Sequence, residues 1–259
     1  MHVGIAFPEL DPVARRRLVR VTFRHAGQSF AELALWPRLR RRRDYIRFEG
    51  LEAADALLAA GRGAIAVTGH TGNWELLAAA LSARGYLLSV VARRVNDARF
   101  DALVVRFRRL AGVDVLVRDD PNFLGGVRAA LARGRVVALL IDQDTRGAGV
   151  FVPFFGRPAR TPPGPAVLAL RTRAPLLTAF IERRSDGGHV IRVTPVEIGD
   201  RSGRERVTDL TARLTAAIEA QIRSAPAEWV WWHERWRRQP TEAHSPLQAG
   251  GRMIPVAHR

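Results

Sequence analysis

The chain has no cysteine, which excludes disulfides and thiolate metal ligands. It has no lysine either. All 41 basic side chains are arginine, and without lysine there is no phosphate-binding P-loop. No stretch approaches the roughly 20 consecutive apolar residues that a membrane-spanning helix needs. The start is unlike a signal peptide, turning charged at Glu9 and Asp11 and then arginine-rich. There is no Gly-x-Ser-x-Gly elbow, and His233-Glu234 lacks the second histidine of a zinc-protease helix. No metal and no cofactor is expected, and no internal repeat is present.

What is present is one large domain's worth of chain, 259 residues with 47% hydrophobic content, enough to bury a sizeable core. The net charge is +16. GC-rich coding accounts for arginine in place of lysine, but not for the excess over the 25 acidic residues. Such a field attracts polyanions: nucleic acid, anionic lipid headgroups or an acidic carrier protein. Arginine runs with Trp229, Trp231, Trp232 and Trp236 offer phosphate contacts and stacking. Yet no helix-turn-helix, zinc or RNA-recognition signature accompanies them, so nucleic acid is the distant alternative.

Asp11-Pro12 is a helix start, and a helical pattern runs from there to Trp36, where Pro37 is expected to end it. Leu18, Val21, Phe23, Phe30, Leu33 and Leu35 form a partial apolar face opposed by Arg15, Arg16, Arg17, Arg20 and Arg24. The run Arg40–Arg43 follows. Residues 1–43 therefore read as a basic, amphipathic, membrane-facing segment, 44–239 as an α/β domain, and 240–259 as a disordered tail. Within the domain the pattern predicts strands at 64–68, 87–92, 113–117 and 136–141, alternating with helices at 74–83, 100–110 and 121–132. Residues 142–164 read as a long loop of Gly, Pro and Phe. A helix at 166–171, strands at 176–182 and 189–196, and a helix at 207–223 complete the pattern. Alternation of this kind implies a mostly parallel central sheet flanked by helices, an α/β fold with an N-terminal amphipathic helix.

Gly69-His70-Thr71-Gly72-Asn73-Trp74-Glu75 falls between a buried strand and a helix, where open α/β sheets place their sites. Asn73 suits the N-cap, which puts Glu75 in the first turn, stabilised by the helix dipole. The loop can bend the ring of His70 back towards Glu75. A carboxylate on one imidazole nitrogen fixes the tautomer and makes the other a base for a hydroxyl.

This segment resembles the His-x4-Asp/Glu motif of glycerolipid acyltransferases, and in particular the lipid A biosynthesis (lauroyl/myristoyl) acyltransferase family. Phe7-Pro8-Glu9-Leu10, the stretch from Arg93 and Asn96 to Arg108 and Gly112, Asp142-Gln143-Asp144, Val152–Thr161 and Trp229–Trp236 resemble further blocks of that family, in order. The resemblance covers residues 5–238 and implies a glycerolipid-acyltransferase-like fold. It implies transfer of a fatty acyl group from acyl carrier protein or acyl-CoA to a hydroxyl of a membrane glycolipid. The acceptor is expected to be a lipid A precursor, with a phosphatidylinositol mannoside as the alternative. His70, Glu75, Arg108 and Asp142 become the catalytic candidates, Arg108 for the oxyanion with Arg109 as its rival. Asn73, Trp74, Arg93, Asn96, Asp144, Phe154, Phe155, Arg160 and Thr161 become substrate-contact candidates. One or more of Phe151, Phe154 and Phe155 is expected to line an acyl cavity continuous with His70, unless they only pin their loop to the core. The family generally begins with a membrane-anchoring helix that this chain does not show. Either a peripheral enzyme on an anionic surface, the cytoplasmic face of the bacterial inner membrane, or a true start upstream of Met1 is therefore expected.

Overall fold

Residues 2–93, 97–145, 147–199 and 203–240 are described by the computed structural model; Asn96 and the tail 241–259 lie outside them. The chain opens with a helical turn, α1 (Val3–Ala6), and a long helix, α2 (Pro12–Leu39). Next come β1 (Ile46–Glu49), α3 (Leu51–Leu58), β2 (Ala64–Thr68), α4 (Trp74–Ala83) and β3 (Leu88–Ala92). α5 (Ala98–Leu110), β4 (Val113–Val117), α6 (Phe123–Ala132) and β5 (Val136–Leu140) continue the alternation. The last part holds β6 (Val150–Phe154), β7 (Arg157–Thr161), α7 (Gly164–Thr172), β8 (Leu176–Arg183), β9 (His189–Pro195) and α8 (Gly203–Ser224). A 3₁₀ turn at Pro226–Glu228 follows α8.

Among the described residues the main sheet has seven strands in the order β1-β9-β8-β2-β5-β3-β4. β8, β2, β5, β3 and β4 run parallel, while β9 returns antiparallel to β8 and carries β1 beside it. Every residue of β2 is buried, as its unbroken apolar run requires. Alternate side chains of β2 enter different cores. Ile65 and Val67 join α6, α7, α8 and the tryptophans, whereas Ala64 and Ala66 join α3, α4 and Trp36. Val3, Ala6 and Phe7 also lie in the first of these cores.

Three expectations change. Pro37 does not end α2, which runs on to Leu39 with the Arg40 N–H bonded to the Trp36 carbonyl at 3.0 Å. A proline this near the end removes one ladder bond, and the buried Trp36 with the packed Leu39 holds the last turn in place. The inward stripe of α2 is also different: Leu18, Val19, Leu33 and Trp36 pack, whereas Phe23, Phe30 and Leu35 are exposed. The expected 142–164 loop contains a hairpin instead, β6 with β7. Phe155 and Gly156 turn it with φ of 51° and 70°, the left-handed pair that a two-residue hairpin turn needs. α1, β1 and α3 carry no sequence expectation at all.

Candidate active site

β2 and β5 are neighbours, and their register pairs Thr68 with Leu140. The chain leaves both strands at the same level, so His70 and Asp142, each the second residue beyond, meet side by side. The His70 backbone N–H donates to Asp142 Oδ2 at 2.7 Å, and His70 Nδ1 lies 2.8 Å from Asp142 Oδ1. Trp229 Nε1 donates to the same Oδ2 at 2.8 Å. Burial pushes the Asp142 carboxyl up, but the charge and ring N–H of His70, the Trp229 indole and the His70 backbone N–H outweigh it and hold it at about 2. An ionised Asp142 must accept from Nδ1–H, which leaves Nε2 of His70 as the lone-pair nitrogen. His70 keeps 24% of its side chain exposed, whereas Asp142 exposes none. The ring of Trp74 stands edge-on to His70 at 5.0 Å.

The loop that carries His70 is held tightly. Gly72 has φ of 62°, and a Cβ there would meet the Ile181 carbonyl at 2.2 Å, so only glycine fits. Its N–H bonds to the Glu228 carbonyl at 3.0 Å, and Thr71 bridges to Trp229. Asn73 caps α4 by accepting from Leu76 N at 3.1 Å. Its amide group donates to the Ser29 carbonyl at 3.1 Å and to Glu32 Oε2 at 3.0 Å on α2. Glu32 also accepts from Arg183, from Tyr45 at 3.1 Å and from His189 Nε2 at 3.0 Å. Burial raises the Glu32 carboxyl, yet the bonds from His189, Arg183 and Asn73 pull it far below the usual carboxylate range. This hub ties α2 to the loop of His70.

Glu75 does not meet His70. From the first turn of α4 it meets α5 instead, where Arg108 grips it with Nε at 2.9 Å and Nη2 at 2.5 Å. The pair is mostly buried, with 16% and 12% of the two side chains exposed. The carboxylate on the imidazole comes from the adjacent strand end. Arg109 is exposed.

Other sequence candidates fall elsewhere. Phe154 and Phe155 are buried among Trp229, Trp231, Trp236 and Phe7. Neither lines the cavity found next to the motif, and nor does Phe151. That cavity, of about 100 Å³, lies between α2 and Trp74, Glu75 and Trp229, with His25, Ser29 and Phe30 on its wall. Arg160 does not reach outwards: its Nη1 and Nη2 bond to the Thr145 and Gly147 carbonyls at 3.0 and 2.9 Å. Thr161 is fully buried and accepts from Arg235. Asp144 is partly buried, its N–H bonded to His233 Nε2 at 3.0 Å. Arg93 is exposed and 3.5 Å from Asp119. Asn96 lies outside the described residues. Sequence reasoning missed Trp229 as the indole on Asp142, and it missed Glu32, Arg183 and His189. Only the tryptophan-rich run itself pointed towards the first, and no local pattern announces the others.

A family model described as bacterial lipid A biosynthesis acyltransferase matches residues 3–238. A phosphatidylinositol mannoside acyltransferase of Mycobacterium tuberculosis (strain ATCC 25618 / H37Rv) is 32% identical over 203 residues, covering 75% of this chain and 61% of the relative. The chain thus spans about 61% of the length of that relative. A lipid A biosynthesis palmitoleoyltransferase of Escherichia coli (strain K12) is 26% identical over 245 residues, covering 92% of this chain and 78% of the relative. A lipid A biosynthesis lauroyltransferase of the same strain is 29% identical over 246 residues with the same coverage.

Proposed function

The chain belongs to the bacterial lipid A biosynthesis acyltransferase family, and from that premise we propose that it moves a fatty acyl group from a thioester to a hydroxyl of a membrane glycolipid, with His70 as the base. The observation that carries this is the ionised, buried Asp142 on Nδ1 of a partly exposed His70. Nε2 takes the proton of the acceptor hydroxyl as its oxygen attacks the thioester carbonyl. The tetrahedral oxyanion collapses, the C–S bond breaks, and the imidazolium returns the proton to the departing thiolate. Arg108 is the cation for the oxyanion. Glu75 holds it through Nε and Nη2, and no described residue takes Nη1. The role of Glu75 is then to aim Arg108 rather than to orient His70.

The acceptor has two readings. The greater identity to the mannoside acyltransferase favours a mannosylated phosphoinositide. The family match across residues 3–238 favours a lipid A precursor. The donor is acyl carrier protein or acyl-CoA. The exposed Phe23 and Phe30 of α2 sit among its arginines, and Phe23 stacks on the exposed Trp232 at 5.4 Å. An apolar groove of about 460 Å³, lined by Phe7, Leu10, Leu18 and Val21, adjoins them along the first half of the helix. This face suits an anionic bilayer, which supports a peripheral location at the cytoplasmic face of the inner membrane.

His70→Ala is expected to lower kcat by roughly 10²–10⁴-fold in a protein that still folds, since a positioned base is worth about that much. A variant that keeps more than about a tenth of wild-type kcat overturns the assignment. Mass spectrometry of lipids from cells with and without the gene separates the two acceptors.

A further inference from the structure

α5 is anchored from within by Phe107, which packs on the core of α4, and by Arg108, which grips Glu75. At 3.6 residues per turn Arg99, Leu103, Arg106 and Leu110 share one face, on the side opposite Arg108. That face is open: Leu103 is 62% and Leu110 74% exposed. Arg99 and Arg106 are exposed too, and Arg109 flanks them; none of the three has a carboxylate partner among the described residues. The one acid of the helix, Asp101, is half-buried. Large apolar side chains in water beside unpaired guanidinia are the composition of a protein-binding patch, where arginine is enriched and lysine is not.

The geometry points to this face of α5 as the docking surface of an acidic carrier protein that delivers the acyl thioester. The inference rests on the acyl-transfer reading. The two substrates of that reaction come from different phases, a lipid from the bilayer and a thioester from water, and both must reach His70. The loop of His70 is tied to α2 through Asn73 and Glu32, and the first turn of α4 that follows it is tied to α5 through Glu75 and Arg108. The exposed aromatic rings lie on the α2 side, which suits lipid. The described exposed side chains of α5 are leucine, valine, alanine and arginine, and unpaired positive charge on a chain of net charge +16 calls for an acidic partner. A carrier docked here sits one helix away from the cation assigned to the oxyanion.

The test compares two donors of one acyl group, the acyl carrier protein thioester and the acyl-pantetheine thioester, in wild type, Arg106→Glu and Leu103→Gln. Both substitutions are at exposed positions. The expected result is a rise of about tenfold or more in KM for the carrier donor, with kcat at saturation and both constants for the pantetheine donor unchanged. Salt should raise the wild-type carrier KM and move that of Arg106→Glu less. An unchanged carrier KM overturns the inference, as does an equal loss with both donors. Release of the variants from anionic vesicles at unchanged carrier KM also overturns it and assigns the face to lipid. A wild type that uses only pantetheine thioesters removes the docking surface and leaves the acyl-transfer reading standing. A wild type that uses neither donor removes both.

Discussion

Two carboxylates stand close to the histidine motif, and their surroundings separate their roles. Asp142 is sealed from water and receives two N–H groups from His70 and one from Trp229. Glu75 is gripped by one guanidinium. Asp142→Asn tests the difference. The amide oxygen would face the His70 backbone N–H and the Trp229 indole, because both donate to Oδ2. The amide nitrogen would then donate to Nδ1 of His70, moving the ring proton to Nε2 and leaving no lone pair for the acceptor hydroxyl. The expected outcome is a fall in kcat of about 10²–10⁴-fold with the KM of both substrates little altered. Steady-state kinetics that keep kcat within about tenfold of wild type would refute the role of Asp142. His70 and Asp142 were each legible as strand-end residues, since an apolar run precedes both. Their pairing was not, because it depends on β2 lying beside β5 in one register, a tertiary fact spanning 72 residues. The nearer Glu75 drew the expectation simply because spacing along the chain is all that a sequence shows.

At the scale of elements, α2 depends on a charge that its sequence pattern would place in solvent. Glu32 is 7% exposed and collects Arg183, His189, Tyr45 and Asn73 from the sheet and the catalytic loop. Glu32→Ala leaves the Arg183 guanidinium and the His189 ring without their carboxylate, a loss of about 3–5 kcal/mol for a buried pair broken on one side. Asn73→Ala removes the α4 cap as well as its bonds to α2, for about 0.5–2 kcal/mol from the cap alone. Urea unfolding of the two single variants and the double variant should show losses that are less than additive, because both remove the Glu32–Asn73 bond. A Glu32→Ala loss below about 1 kcal/mol would mean that apolar packing alone seats α2. The ends of β2, α4 and β4 followed from the sequence because period and punctuation agree there. The β6–β7 hairpin was hidden because Phe155 occupies a left-handed turn position usually marked by Asn or Gly, so no turn signal appears. The rest of the 142–164 segment is pinned by Arg160 and Arg238 on backbone carbonyls, contacts without any local sequence signature.

For the molecule as a whole, two carboxylates with shifted titration, one partly and one fully buried, set how stability changes with pH. Burial raises the Glu228 carboxyl from 4.5 to about 7; bonding to the Arg183 N–H and the Arg183 charge oppose this, while Glu182 and Glu32 add to it. The Glu228 carbonyl accepts the Gly72 N–H, so the strain of ionising this side chain falls on the segment that holds the His70 loop. A group raised on folding contributes stability that is fully present below its unfolded value and is lost as pH rises through its folded one. Wild type should therefore lose stability between pH 4.5 and about 7 on account of Glu228. Asp142 acts in the opposite direction. Its carboxyl is held at about 2, below its ordinary 3.8, so its contribution is present above pH 3.8 and disappears as pH falls through about 2. The two limbs place the Glu228 loss at mildly acid to neutral pH, clear of the Asp142 loss. Glu228→Gln cannot ionise and keeps a neutral acceptor for the Arg183 N–H. Melting temperatures at pH 5 and pH 8 should show a larger fall for wild type than for Glu228→Gln, while both share the decline at strongly acid pH. Parallel falls in the two proteins between pH 5 and pH 8 would show that Glu228 is ionised without penalty in the fold.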